Sequence, residues 1–248
     1  MAKSPIFPID GRGLTVRFGE VTAISGIDVS IHGTRRLAIL GANGAGKSVL
    51  LRTLHGLIPP TEGTVTWCGS PLRPPDQAMV FQRPVMLRRT ALANVQYALE
   101  VHGVEGNERE MRTREALKRV GLTSIANRQA RVLSFGEQQR LALARAWALR
   151  PRILYLDKPT SSLDPTAAAE VERVIHEIQV AGTTIVVTTH VLGFARRIAD
   201  EIVFLHRGRL LERTPADRFF GNPQTPEAER FLKGELPWNG ISRRSSAG

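Results

Sequence analysis

The sequence predicts an α/β fold. A mixed or parallel β-sheet carries helices, with an N-terminal antiparallel β subdomain and a helical subdomain at about residues 84–150 of the 248-residue chain. Three observations lead there. The apolar run 37–40 is followed by the glycine-rich segment Gly41-Ala42-Asn43-Gly44-Ala45-Gly46-Lys47-Ser48, then by Val49-Leu50-Leu51, Leu54 and Leu57, which read as the apolar face of a helix. Two more apolar runs, 153–156 and 183–189, lead into Asp157 and His190, as strands of a parallel sheet do when they deliver polar groups to one edge. Segments with helical periodicity separate these runs.

The glycine-rich segment matches G-x-x-x-x-G-K-[ST], the phosphate-binding P-loop, and its strand–loop–helix context makes the core that of a P-loop NTPase. Glycines let consecutive backbone N–H groups point inward at an anion. The following helix adds its unpaired N-terminal N–H groups and the positive end of its dipole. Lys47 can then reach the β- and γ-phosphates, and the Ser48 hydroxyl can ligate Mg²⁺. Asp157, at a strand end, is placed to hold Mg²⁺ through water as the acidic part of such a site, although a strand-end Asp also serves as a helix cap.

Composition narrows the class. Hydrophobic residues make up 42% of the chain, enough for a globular core. No apolar run approaches the ~20 residues that cross a bilayer, and the start lacks the apolar core of a secretory signal. The one cysteine, Cys68, is expected to be a small buried residue. A cytoplasmic protein is the expectation. The net charge of +11 admits nucleic acid or an anionic membrane as partner. The arginines are scattered, however, with no aromatics interleaved, so no nucleic-acid partner is expected.

In chain order, residues 14–18 alternate like a strand that Gly19 ends, and 22–31 form a second, with Ser25-Gly26 as a bend. Phe18 has two open readings: an aromatic ahead of a P-loop that stacks on adenine, or a core phenylalanine. Pro59-Pro60-Thr61-Glu62-Gly63 is a turn, 64–67 a short strand, and Gly69-Ser70-Pro71 another turn. Residues 78–81 are a buried strand ending at Gln82, and Pro84 stops regular structure. Gln82 either orients Mg²⁺ or water, or is an ordinary strand-end polar group. Residues 91–121 are mainly helical, with a loop at 103–106. Ser134 caps a further helix, and Glu137 three residues on completes a capping box. That helix start is either simply well capped or an anion-binding N-terminus. Residues 165–181 form an amphipathic helix that starts with proline. His190 follows a β-branched strand, either as a contact for a γ-phosphate or as a structural residue. Residues 191–200 are helical, 201–210 a hairpin turning at Arg207-Gly208, and 214–236 short helices. A single domain of 1–240 and a disordered tail at 242–248 complete the expectation.

Taken together, in order and spacing, these motifs resemble the ATP-binding subunit of ATP-binding cassette (ABC) transporters over nearly the whole chain. In that pattern Phe18 resembles the adenine-stacking aromatic and Gly41, Ala42, Asn43, Gly44, Ala45, Gly46, Lys47 and Ser48 the Walker A loop. Gln82 resembles the glutamine-loop residue, and 133–140 the signature sequence of the helical subdomain. Residues 153–157 resemble the Walker B strand, Ser162-Leu163-Asp164 the D-loop, and His190 the switch histidine. The resemblance implies ATP and Mg²⁺ as cofactors, with Ser48, Gln82 and Asp157 at the metal. It implies a head-to-tail homodimer in which each ATP lies between the P-loop of one chain and Ser134, Gly136 and Glu137 of the other, beside Asp164. Separate membrane permease subunits and, through them, a periplasmic or lipid-anchored solute-binding protein are the implied partners. Localisation would be peripheral, on the inner face of the membrane. Residues 81–87 and 231–236 look most like importers of oxyanions, tungstate especially; phosphate, molybdate or another solute is the alternative.

Two positions depart from the family. Phe135 replaces the first of two signature glycines, which implies less tolerance for close approach while Ser134 and Gly136 keep the site. Lys158 stands where a glutamate normally polarises the attacking water. An ammonium is no general base near neutrality unless its pKa is strongly depressed. Lys158 either pairs with the γ-phosphate, or turns away and leaves His190 and Gln82 to place water. Tight MgATP binding with slow hydrolysis is the expectation. The alternative is an ATP-switched regulatory or scaffolding subunit with negligible turnover.

Overall fold

The computed structural model describes residues 6–33, 35–71 and 76–235. The tail expected at 242–248 and the end of the 231–236 stretch lie outside them. Strands β1 (Ile9–Phe18) and β2 (Val21–Ile31) open the fold, followed by β3 (Arg36–Leu40) and helix α1 (Lys47–His55). β4 (Glu62–Trp67) and β5 (Gln77–Val80) precede three helices, α2 (Ala91–Val101), α3 (Gly106–Arg119) and α4 (Phe135–Ala148). Next come β6 (Ile153–Asp157), α5 (Pro165–Val180), β7 (Thr184–Thr188) and α6 (Leu192–Ile198). The hairpin β8 (Glu201–His206) and β9 (Arg209–Pro215) leads to α7 (Ala216–Gly221) and α8 (Pro226–Leu232).

β1, β2 and β4 form an antiparallel sheet in the order β2-β1-β4. The second sheet has the order β5-β6-β7-β3-β8-β9, parallel except for the last hairpin. This is the expected α/β fold with a mixed sheet and an antiparallel β subdomain, and α2, α3 and α4 pack on one another.

The period-2 alternation of the central strands builds the layers. Ala38, Leu40, Leu154, Leu156, Ile185, Val187, Ile202 and Phe204 face one core, shared with α4, α5 and α6. Leu37, Ile39, Ile153, Tyr155, Val186, Val203 and Leu205 face the other, shared with α1 and the antiparallel sheet. Apolar residues on both faces explain why these strands read as continuous runs. Each Val, Leu, Ile and Phe among them contributes about 1.5–3 kcal/mol by leaving water. Burying the strands this way leaves their C-terminal ends, where Gly41, Asp157 and the residues after Thr188 sit, on one edge of the sheet.

Several boundaries differ from expectation. β1 starts at Ile9 rather than at 14, because Gly11 and Gly13 interrupt the alternation while the pairing continues through a register shift between Gly11 and Leu14. β5 ends at Val80, so Phe81 and Gln82 lie beyond it. The terminal hairpin turns at Arg207 and Gly208 as expected, both with positive φ (48° and 76°), but β9 runs on to Pro215. Cys68 is exposed, not buried. It sits in the turn after β4 with a φ of 50°, its side chain outside the core that Trp67 enters.

Candidate functional site

Gly41 follows the last residue of β3, with a φ of 147°, and a Cβ on it would lie 2.2 Å from the Leu205 carbonyl oxygen. Gly46, with a φ of 96°, would clash likewise with the Ala23 oxygen at 2.6 Å. Only glycine lets the loop bend tightly and pass this close to two strands. α1 begins at Lys47, with no side chain capping its N-terminus, so its first-turn N–H groups point at the loop.

Lys47 is 3% exposed and donates from Nζ to the carbonyl oxygens of Gly41 and Ala42, both at 2.7 Å. Burial lowers its pKa to about 8, Lys158 adds to the shift, and Asp157 opposes it. The Ser48 hydroxyl donates to Asp157 Oδ1 at 2.6 Å. Asp157 is 1% exposed, and register pairs it with Thr188 on β7. Thr188 Oγ1 donates to the same oxygen at 2.8 Å, and Arg52 of α1 reaches Oδ2 at 3.1 Å. A buried carboxylate with a guanidinium and two hydroxyl partners is a fixed charge, held at the end of its strand.

Lys158 follows with a φ of 47°. Its N–H donates to Thr188 O at 3.1 Å and Oγ1 at 3.0 Å, and its carbonyl accepts from Ser161 Oγ at 2.9 Å. Its Nζ crosses to the P-loop and donates to Asn43 Oδ1 at 3.1 Å. Asn43, Lys158, Gln82 and His190 line one cleft of about 710 Å³. Glu172 also lines it, and is bound to Arg197 at 2.7 and 2.9 Å. Partial burial, then Lys158 and Lys47, push the His190 pKa below its usual value, so the imidazole is neutral at pH 7.

The sequence pattern of the ABC transporter family matches residues 24–161, more than half of the chain. The chain belongs to the ABC transporter family. Among curated relatives, the histidine/lysine/arginine/ornithine transport ATP-binding protein HisP of Escherichia coli is 35% identical, over 89% of this chain and 95% of that protein. The glutamate transport ATP-binding protein GluA of Corynebacterium glutamicum is 37% identical, over 89% and 96%. Among solved structures, cbiO1 of Clostridium perfringens, described as part of the ABC transporter complex cbiONQ, matches with a TM-score of 0.78. It is 26% identical, over 92% of this chain and 95% of that one.

The other residues expected at an ABC nucleotide site do not themselves line the cleft, although Asp164 stands between Leu163 and Pro165, which do. Phe18 closes β1 and is 53% exposed, which rules out the core reading and leaves its ring at the surface. Ser134 caps α4: its hydroxyl accepts from the Glu137 N–H at 3.3 Å, while Glu137 accepts from the Ser134 N–H at 2.7 Å. Gly136 has a reason within the chain as well, since a Cβ there would lie 2.9 Å from Ala167 Cβ on α5. Asp164 caps α5, accepting from the N–H groups of Thr166 and Ala167 at 2.9 Å each. No local sequence pattern marks Arg52 or Thr188 as part of the site. Arg52 reads as a basic residue near a helix end and Thr188 as a β-branched strand residue; only the pairing of β6 with β7 reveals the second.

The residues present fit ATP with Mg²⁺. No cluster of three or more His, Cys, Asp or Glu able to cage a metal occurs among the described residues. Mg²⁺ needs no such cage, because it takes one or two protein oxygens and completes its shell with phosphate and water. The joined Ser48 hydroxyl and Asp157 carboxylate supply that oxygen set, beside a loop that presents N–H groups and a buried lysine to phosphate.

Proposed function

We propose that this chain is the ATP-binding subunit of an ABC importer that binds MgATP and hydrolyses it slowly. The observation that carries the reading is the contact of Ser48 with Asp157 at the start of the P-loop helix. Ser48 and Asp157 would hold Mg²⁺, with Gln82 as its third protein neighbour. When bound, Mg²⁺ supplies charge neutralisation at the phosphates. The N–H groups of residues 41–48 bind phosphate, and Lys47 exchanges its carbonyl partners for phosphate oxygens. The exposed Phe18 ring offers a stacking face for adenine.

Ser134, Gly136 and Glu137 do not line the cleft and Asp164 stands at its edge, between Leu163 and Pro165, which supports their action on the nucleotide of a second copy in a head-to-tail homodimer. Neutral His190 can accept a hydrogen bond from water, and Gln82 can orient it. Neither replaces a carboxylate base, and Lys158 repels protons rather than taking them, which supports slow turnover.

No described helix is long and apolar enough to cross a membrane. Permease subunits would therefore hold the chain at the inner face of the membrane and link it to a periplasmic or lipid-anchored solute-binding protein. The solute has two readings. The relatives are named for amino-acid transport along nearly their full length, whereas the oxyanion reading, tungstate above all, rests on the short stretches 81–87 and 231–236. Reconstitution with a candidate permease and binding protein in vesicles tests both. ATP-dependent uptake of an amino acid or of tungstate selects the solute, and failure of the chain to associate with any such permease overturns the importer reading.

A further inference from the structure

Lys158 is positioned as a binding group, not an idle substitution. Its backbone is clamped on both sides, by Thr188 at its N–H and by Ser161 at its carbonyl. That clamp holds a non-glycine residue at a φ of 47° and aims the side chain across the cleft. Nζ ends 3.1 Å from Asn43 Oδ1, a neutral acceptor on the P-loop itself. Among the described residues no carboxylate pairs with it: Asp157 already accepts from Ser48, Thr188 and Arg52, and Glu172 is held by Arg197. The ammonium is therefore positioned without being neutralised.

Depth separates the two lysines. Lys47 is buried under the loop, at the carbonyls of Gly41 and Ala42, whereas Lys158 is half-buried and opens into the cleft with His190 and Gln82. Lys47 feels the charge of Lys158, which Asp157 offsets in part and an anion between the two lysines would offset further. A diphosphate seated in the loop would meet Lys47, and a third phosphate would have the cleft lined by Lys158 to extend into.

We propose that Lys158 is a ligand for the terminal phosphate of a nucleoside triphosphate, and that it makes the site select triphosphate over diphosphate. The proposal rests on the reading of the P-loop cleft as a nucleotide site. On binding, Nζ leaves the Asn43 oxygen for a phosphate oxygen, trading a neutral acceptor for a charged one. The substitution that removes the water-polarising group thus adds a phosphate clamp, and the chain holds the triphosphate state instead of clearing it.

The test compares ADP with a non-hydrolysable imido analogue of ATP, both with Mg²⁺, by titration calorimetry on the full chain. Lys158→Met keeps the stem and removes the charge. It is expected to weaken the triphosphate analogue on the order of 10-fold or more while ADP changes less than about 2-fold. Lys158→Arg, which keeps the charge, is expected to retain most of the selectivity. Equal loss for both nucleotides, or no loss for either, overturns the role of Lys158 while the nucleotide site stands. Wild-type protein that binds neither nucleotide overturns the site reading and the proposal with it. Should Lys158→Met fail to fold, the same ratio is read on Lys158→Gln, and a wild-type chain without preference for the triphosphate analogue overturns the proposal by itself.

Discussion

Asp157 accepts from Ser48, Thr188 and Arg52, so its charge is shared among partners that each need it. Asp157→Asn keeps the shape but withdraws that charge from Arg52 and from any bound Mg²⁺. ATP affinity with Mg²⁺ is expected to fall at least about 10-fold, and affinity in excess EDTA to change much less. An equal fall in both conditions would show that Asp157 supports the fold and not the metal. Gly46→Ala is expected to abolish measurable ATP binding, because the new Cβ meets the Ala23 carbonyl oxygen at 2.6 Å and a φ of 96° disfavours alanine; an unchanged dissociation constant would contradict the close approach. At this scale the strand–loop–helix form around residues 41–48 was legible, since the spacing of glycines, lysine and serine is local. Arg52 and Thr188 were not, because their roles depend on strand pairing and on a helix crossing over a strand end, which no local pattern encodes. Cys68 was misread for a related reason: its neighbour Trp67 takes the inward position at the end of β4, and the chain then turns.

Side-chain caps fix where α4 and α5 start. Asp164 satisfies two N–H groups of α5 ahead of Pro165, so Asp164→Ala is expected to cost about 1 kcal/mol of stability, read as a lower denaturant midpoint. Ser134→Ala is expected to cost a similar ~1 kcal/mol through the lost capping box. A variant as stable as the wild type would remove the capping role. Both residues are exposed, so the same side chains that start the helices leave those helix ends open to solvent. The capping box of α4 and the proline start of α5 were legible because they are local. The long β1 was not, because glycines hide a strand whose register is set by β2 and β4 rather than by its own alternation.

Across the whole molecule, Arg36 at the start of β3 ties to Asp200 just ahead of β8, with contacts at 2.6 and 2.8 Å. Burial pushes the Asp200 carboxyl up, but the bonds and charge of Arg36 outweigh it and hold the pKa below the ordinary aspartate value. A lowered carboxyl pKa stabilises the fold fully above 3.8, and that contribution is lost as pH falls through the lower folded value. The pair is partly exposed, so Asp200→Asn is expected to cost no more than about 1 kcal/mol at pH 7. The difference in melting temperature from wild type should shrink toward zero at acid pH; a constant difference would assign the effect to packing. The division of the sheet into two apolar faces was legible in the runs themselves. The strand order β5-β6-β7-β3-β8-β9 was not, since nothing local says which buried strand lies beside which.

That strand order is what brings Lys158 at the end of β6 to Asn43 after β3, across β7, and so fixes the chemistry of the cleft. The decisive measurement is steady-state ATPase activity of the wild type beside Lys158→Glu, with MgATP saturating for both. The expected result is slow turnover by the wild type and a rise on the order of 100-fold in the variant, the scale of a restored general base. A glutamate variant no faster than the wild type, with ATP bound equally well, would contradict it.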